Sequence, residues 1–164
     1  MRDLSRERPM GIIAFMATVV MLFTAFTASY LVRRTSADWR PVPLPLIVWA
    51  NTALLLASSV TMERARCSRR PQDWLRVTIF LGVAFLAGQV LAWLRLQETG
   101  VSFTVSPHAS FLAVLASLHG LHVVGGLVAL LLAVGGRAHL GPCAAYWHLM
   151  GGIWLWLLIL LSTI

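Results

Sequence analysis

His119 and His122 stand three residues apart, and on an α-helix that spacing turns both imidazoles to one side, where their nitrogens could share a metal ion. His148 follows one apolar stretch later and would add a third ligand if the two stretches packed together. Sites of this kind in helical bundles recruit carboxylates as well; a di-iron centre takes glutamates from several helices. All six acidic residues here lie in termini, loops or the edges of apolar stretches, so di-iron carboxylate chemistry is excluded. The chain is expected to hold no metal, no haem and no catalytic group of its own. Cys67 and Cys143 lie in or beside different loops, without CxxC or Cys/His ligand spacing, and read as unpaired thiols. The remaining use for His119, His122 and His148 is a polar seam, joined by Asn51 and Gln89, between helices or towards a lipid headgroup.

The elements that carry these residues follow from composition. Of 164 residues, 59% are hydrophobic and only 12% charged, and the mean hydropathy is +0.80, too apolar for a water-soluble domain. The net charge of +7 comes from 13 arginines set in short clusters between long apolar runs. A nucleic-acid surface needs a continuous basic stripe, so that partner is excluded. A bilayer core about 30 Å thick takes about 20 apolar residues per helix. Five runs meet that length, at about 10–32, 44–62, 74–96, 108–134 and 143–163. The fold expected is all-α, a polytopic membrane helical bundle forming a single domain over 1–164. The first run is too long for the apolar part of a signal peptide and reads as a retained helix.

Placing the N-terminus in the cytoplasm puts nine arginines inside (Arg2, Arg6, Arg8, Arg64, Arg66, Arg69, Arg70, Arg76 and Arg137) and four outside (Arg33, Arg34, Arg40 and Arg95). The positive-inside rule then gives N-in, C-out. Trp39, Trp49, Trp74, Trp93 and Trp147 fall near the ends of the runs, where indoles anchor helices at headgroup level. Small residues at Ala109, Ala113, Ser117, Gly125 and Ala129, broken by Leu121, and at Ala84, Gly88 and Ala92 are expected to form close-packing faces of the fourth and third spans. A proton pump or ion-coupled transporter within the chain would need a carboxylate or paired charge in the membrane, which the spans lack.

The segment His119-Gly120-Leu121-His122-Val123, followed by Gly125-Gly126, resembles the HGLHV motif of subunit III of haem–copper terminal oxidases. Tyr146-Trp147-His148 with Trp154 resembles the YWHF…W pattern of that family, and Asn51-Thr52, Leu54-Leu55-Leu56 and Ser58-Ser59-Val60-Thr61 resemble its NT..LL.SS.T helix. Phe15, Phe23, Ala28, Tyr30, Leu31 and Arg33 align loosely with a further family helix, so the resemblance spans almost the whole sequence. Three positions depart from the pattern. Val19 stands where that helix carries a glutamate, Gly151 stands where the last motif continues with an aspartate, and Trp93 is all that matches a YEY-like segment beyond Gln89.

The resemblance implies a short, five-span form of the cytochrome c oxidase subunit 3 family. It implies a non-catalytic subunit that flanks subunit I, holds phospholipid and supports proton uptake. Haem and copper would then lie in subunits I and II, which reduce oxygen to water with electrons from cytochrome c or a quinol. The setting would be a bacterial-type cytoplasmic (inner) membrane. Larger members have seven spans, and the five here correspond to the last five. The expectation is that two extra spans on subunit I, another small subunit or ordered lipid occupy the place of the other two. The rival readings are an accessory subunit of a nitric oxide reductase, a small membrane transporter and an assembly factor.

Overall fold

A computed structural model of the chain describes residues 4–39, 42, 44–98, 107–136 and 138–162. Five helices account for nearly all of them: α1 Leu4–Arg33, α2 Leu46–Cys67, α3 Pro71–Glu98, α4 Pro107–Val134 and α5 Leu140–Ser162. Each is long and apolar enough to cross a membrane. Together they make an all-α polytopic membrane bundle, with no strand among the described residues.

Prolines set several of the helix starts. Pro71 and Pro107 are the first residues of α3 and α4, where a missing N–H costs nothing because that group has no acceptor within the helix. Pro45, extended at φ −65° and ψ 149°, precedes α2. At the other end of α4, Gly136 takes φ +70°, a left-handed conformation that only glycine adopts without steric cost, and the helix stops there.

α5 is the centre of the bundle: 61% of its most apolar stretch is buried, against 17% for α1. One core joins α2, α3, α4 and α5 around Trp147 and Phe85. A second joins α1 to α4 and α5 through Val19, Phe23 and Tyr30. With Thr27, those α1 residues repeat at steps of four, four and three, so they lie on one face of the helix while its other faces stay exposed. α2 and α3 form a hairpin closed by residues 68–70.

The small-residue row expected on α4 is not a single face. A strict four-residue step advances about 40° beyond a full turn, so after five steps the row has rotated by roughly 200°. Ala109 and Ala113 are buried, but Ser117, Leu121 and Gly125 are exposed. The face that enters the core is Leu115, His119, Val123, Gly126 and Leu130, with one step of three among steps of four. In α3, Gly88 is the close-approach residue, because a side chain there would run into the Asn51 amide of α2.

Trp147 also departs from expectation. It is 1% exposed, so it is a core residue and not a headgroup anchor. Its ring fills the space opened by two glycines: a Cβ on Gly82 would meet the indole at 2.8 Å, and one on Gly126 would meet it at 3.2 Å. Trp49, by contrast, is 49% exposed at the start of α2, and Trp74 carries the Arg64 guanidinium over its ring at 5.3 Å.

Candidate functional site

Hydrocarbon supplies no water to satisfy a polar side chain, so each one inside the bundle must find a protein partner or stay unpaired. Along α5 the indoles of Trp147 and Trp154 are seven residues apart, two helical turns, and point the same way. Trp147 Nε1 donates to Ser58 Oγ at 3.0 Å, and Trp154 Nε1 donates to Thr52 Oγ1 at 2.9 Å. Both hydroxyls belong to α2 and spend their own protons on its backbone, Ser58 on Leu55 O and Thr52 on Val48 O. Donor and acceptor are thus matched at every link of the α2–α5 contact.

The same helices are tied to the rest of the bundle. Tyr146 Oη donates to the His122 carbonyl of α4 at 2.9 Å, and Trp156 Nε1 donates to Thr27 Oγ1 of α1 at 3.1 Å. Asn51 Nδ2 donates to the Phe85 carbonyl of α3 at 2.9 Å, and the hydroxyls of Thr61 and Thr78 meet at 2.8 Å. Gly151 rests against Ser59, whose Oγ would lie 3.4 Å from an added Cβ.

The histidines take three different environments. His119 is fully buried and edged by Phe23, Phe85 and Trp154, the last ring at 5.1 Å between centroids. Neither of its ring nitrogens has a hydrogen-bond partner. His122 turns its Nδ1 back to the Leu118 carbonyl at 2.7 Å, and Phe23 packs on its ring. His148 leaves this pair altogether and meets Glu63 of α2, Nε2 to Oε1 at 2.6 Å. Arg66 Nη1 holds the same carboxylate at 2.9 and 3.2 Å.

The i,i+3 spacing on α4 therefore does not gather three histidines on one point. Among the described residues no three His, Cys, Asp or Glu side chains form a group able to hold a metal. A carboxylate does accompany one histidine, although all six acidic residues lie in termini, loops or the edges of apolar stretches. Glu63 lies at the edge of its apolar run, and only the antiparallel packing of α2 on α5 brings it to His148. Of the other seam residues, Asn51 is 2% exposed, with Oδ1 unpaired. Gln89 sits apart, lining a separate cavity with its Nε2 unpaired.

Sequence reasoning missed the indole donors and the glycines beneath Trp147. The usable signal was the seven-residue repeat of Trp147 and Trp154 opposite the hydroxyl-rich run of α2. The seam also joins the three segments that carry motifs, since Tyr146, Trp147 and Trp154 reach His122, Ser58 and Thr52.

No family model matches the chain. Curated proteins do. The probable cytochrome c oxidase subunit 3 of Nocardia farcinica is 30% identical over 166 residues, covering 88% of this chain and 82% of that protein. The cytochrome c oxidase subunit 3 of Synechocystis sp. is 31% identical over 176 residues, covering 93% and 74%. The probable cytochrome c oxidase subunit 3 of Mycobacterium tuberculosis is 29% identical over 166 residues, covering 88% and 82%.

Proposed function

The chain belongs to the cytochrome c oxidase subunit 3 family, and we infer that it serves as subunit III of a haem–copper oxidase, a non-catalytic membrane subunit of the complex that reduces oxygen to water. The observation that carries this reading is similarity along nearly the whole chain to proteins named for that role. The seam supports it: the residues that resemble the family motifs are the ones that bond α5 to α2 and α4.

The polar groups of the seam bridge helices, and the chemistry of oxygen reduction falls to partner subunits. Subunits I and II would carry the haem and copper and drive the coupled proton pumping. This chain would stabilise subunit I, support its proton uptake and hold phospholipid at its surface. The names of the relatives favour an oxygen-reducing complex fed by cytochrome c over a nitric oxide reductase. The bundle would lie in a bacterial-type cytoplasmic membrane with the arginine-rich α2–α3 turn inside.

The test is purification of the tagged chain in mild detergent. Haem-containing subunits should co-purify in fixed ratio, with oxygen uptake driven by reduced cytochrome c and a reduced-minus-oxidised haem spectrum. A preparation without haem partners overturns the reading, and so does haem bound to this chain alone. Orientation has its own reporter in the native Cys67, exposed at the end of α2. A membrane-impermeant maleimide should label Cys67 in inverted vesicles; labelling in right-side-out vesicles would reverse the topology.

A further inference from the structure

Away from the seam, and from the open groove between α3 and α4 that Gln89 lines, a further polar contact closes the end of the bundle where α1, α3 and α5 finish and α2 and α4 begin. It starts in the sequence. Pro41, Pro43 and Pro45 have no N–H, so Val42 and Leu44 carry the only backbone donors over 41–45. The Val42 N–H donates to Nδ1 of His108, the second residue of α4, at 3.0 Å. Both residues are buried, His108 to 1% exposure.

This bond fixes the state of the ring. Nδ1 accepts, so it carries no hydrogen, and the imidazole is the neutral tautomer protonated on Nε2. The ring also hydrogen-bonds the Leu161 carbonyl near the end of α5, an acceptor that suits this tautomer. Trp39 stands edge-on to His108 at 5.2 Å and Tyr30 lies tilted at 5.9 Å, between centroids, and those two rings meet each other at 5.0 Å. One side chain of α4 thus pins the connection between α1 and α2 on one side and the end of α5 on the other. The pin matters because, among the described residues, α1 makes its helix contacts with α4 and α5 and none with α2.

Few charges surround the ring. From α1 comes Arg34, just past its end, whose guanidinium acts on the imidazole through space, and Arg33 is paired with Asp38 of the connection at 2.6 Å. α3 ends in Arg95 and Glu98, paired with each other at 3.1 Å, and the last described turn of α5 has no charged side chain. Arg40 and residues 163–164 lie outside the described residues. Desolvation raises the Asp38 carboxyl, but hydrogen bonds from Ser36 and its own backbone, with the Arg33 guanidinium, hold it below the usual carboxylate range. Asp38 therefore stays ionised in mildly acidic solution. The other four histidines lie further along α4 or beyond it, towards the opposite end of the bundle.

We propose that His108 is a proton-operated clasp: while neutral it holds the α1–α2 connection on α4 and α5, and on taking up a proton it releases Val42 and frees the connection and the end of α1. A hydrogen on Nδ1 would face the Val42 N–H, setting two donors against each other in a place closed to water. The closed form thus has no room for the second proton, whereas the open form exposes an ordinary imidazole, which binds one below about pH 6.5. Because the open form binds more protons, opening is favoured as the pH falls. The device belongs to this chain's own fold and holds whichever complex the chain joins.

Hydrogen exchange of the full chain in detergent micelles tests it, under conditions where exchange follows the opening equilibrium. Protection of the Val42 amide, corrected for the intrinsic pH dependence of exchange, should fall about tenfold from about pH 7.5 to about pH 5.5, while amides in the middle of α5 keep theirs. His108→Gln, which keeps a donor and an acceptor but takes up no proton in this range, should remove that dependence. Imidazole nitrogen chemical shifts of the parent follow the same event without a substitution: His108 should be the Nε2–H tautomer at the higher pH and become the imidazolium as protection is lost. Protection of Val42 that stays flat across the range overturns the proposal. An equal fall in a folded His108→Gln variant does so too, and so does a loss of protection in the parent while His108 stays neutral.

Discussion

The α2–α5 seam and the α3–α4 groove are both built from apolar helices with polar groups set well inside the membrane, yet they end differently. In the seam Ser58 and Thr52 each receive an indole N–H from α5 and return their own proton to their helix. In the groove the Gln89 amide nitrogen is buried without an acceptor. Composition does not separate them; packing does. Trp147 fills the space left by Gly82 and Gly126 and closes the seam, whereas between α3 and α4 an open cavity remains beside Gln89 and Ser117. The seam thus closes polar groups between helices of this chain, and the groove leaves one of its own unpaired.

The largest effect is expected from Trp147→Ala. The substitution removes a fully buried ring from between α3 and α4 and strips Ser58 of its donor. Truncating a buried aromatic to alanine costs about 3–5 kcal/mol. Cys143 is buried and Cys67 exposed, so in a Cys67→Ser background a thiol-reactive dye should report melting as Cys143 emerges. Gln89→Leu in the same assay should leave melting of the isolated chain nearly unchanged. A Gln89 variant as destabilised as the Trp147 variant would erase the distinction between seam and groove.

Trp154→Phe sharpens the comparison by removing only the N–H. The ring still packs on Phe85 and His119, but Thr52 loses its donor. Interhelical hydrogen bonds in membranes average about 0.6 kcal/mol and reach about 1.7, so the melting shift should be a clear fraction of that for Trp147→Ala. A loss as large as the alanine truncation would mean that the bond, and not the packing, closes the seam.

Much of this was legible in the sequence, for reasons that differ by residue. Five apolar runs forced five helices, because a membrane leaves the backbone few other ways to satisfy itself. The motifs also located the right segments. What did not follow was which residues meet. The sequence places His148 one span beyond His119 and His122, but its partner Glu63 is 85 residues away in sequence, and only the pairing of α2 with α5 reveals it. Trp147 lies near a span end, where the sequence alone suggests an anchor; the glycines that let it turn inward, Gly82 and Gly126, sit on two other helices. Gln89 is polar and mid-span like the seam residues, and its separation from them follows from the register of α3 on α4.

The smallest effect is expected at Gly125, next to one of the most constrained positions in the bundle. Gly125 and Gly126 are adjacent, so their Cβ positions are about 100° apart around α4. A side chain on Gly126 would strike the Trp147 and Tyr146 rings at 3.2 Å, whereas one on Gly125 finds only Tyr146 Oη, at 4.0 Å. Gly125 is exposed, and leucine there would point towards lipid while replacing the least helix-favouring residue but proline. Gly125→Leu should therefore change the melting of the isolated chain by no more than about 0.5 kcal/mol, the usual range for surface substitutions, while Gly126→Leu should prevent α5 from seating. Cys143 reactivity measured for both variants decides the matter. If Gly125→Leu exposes Cys143 as readily as Gly126→Leu, the four-residue row is a packing face after all, and the inward face of α4 has been drawn one residue out of place.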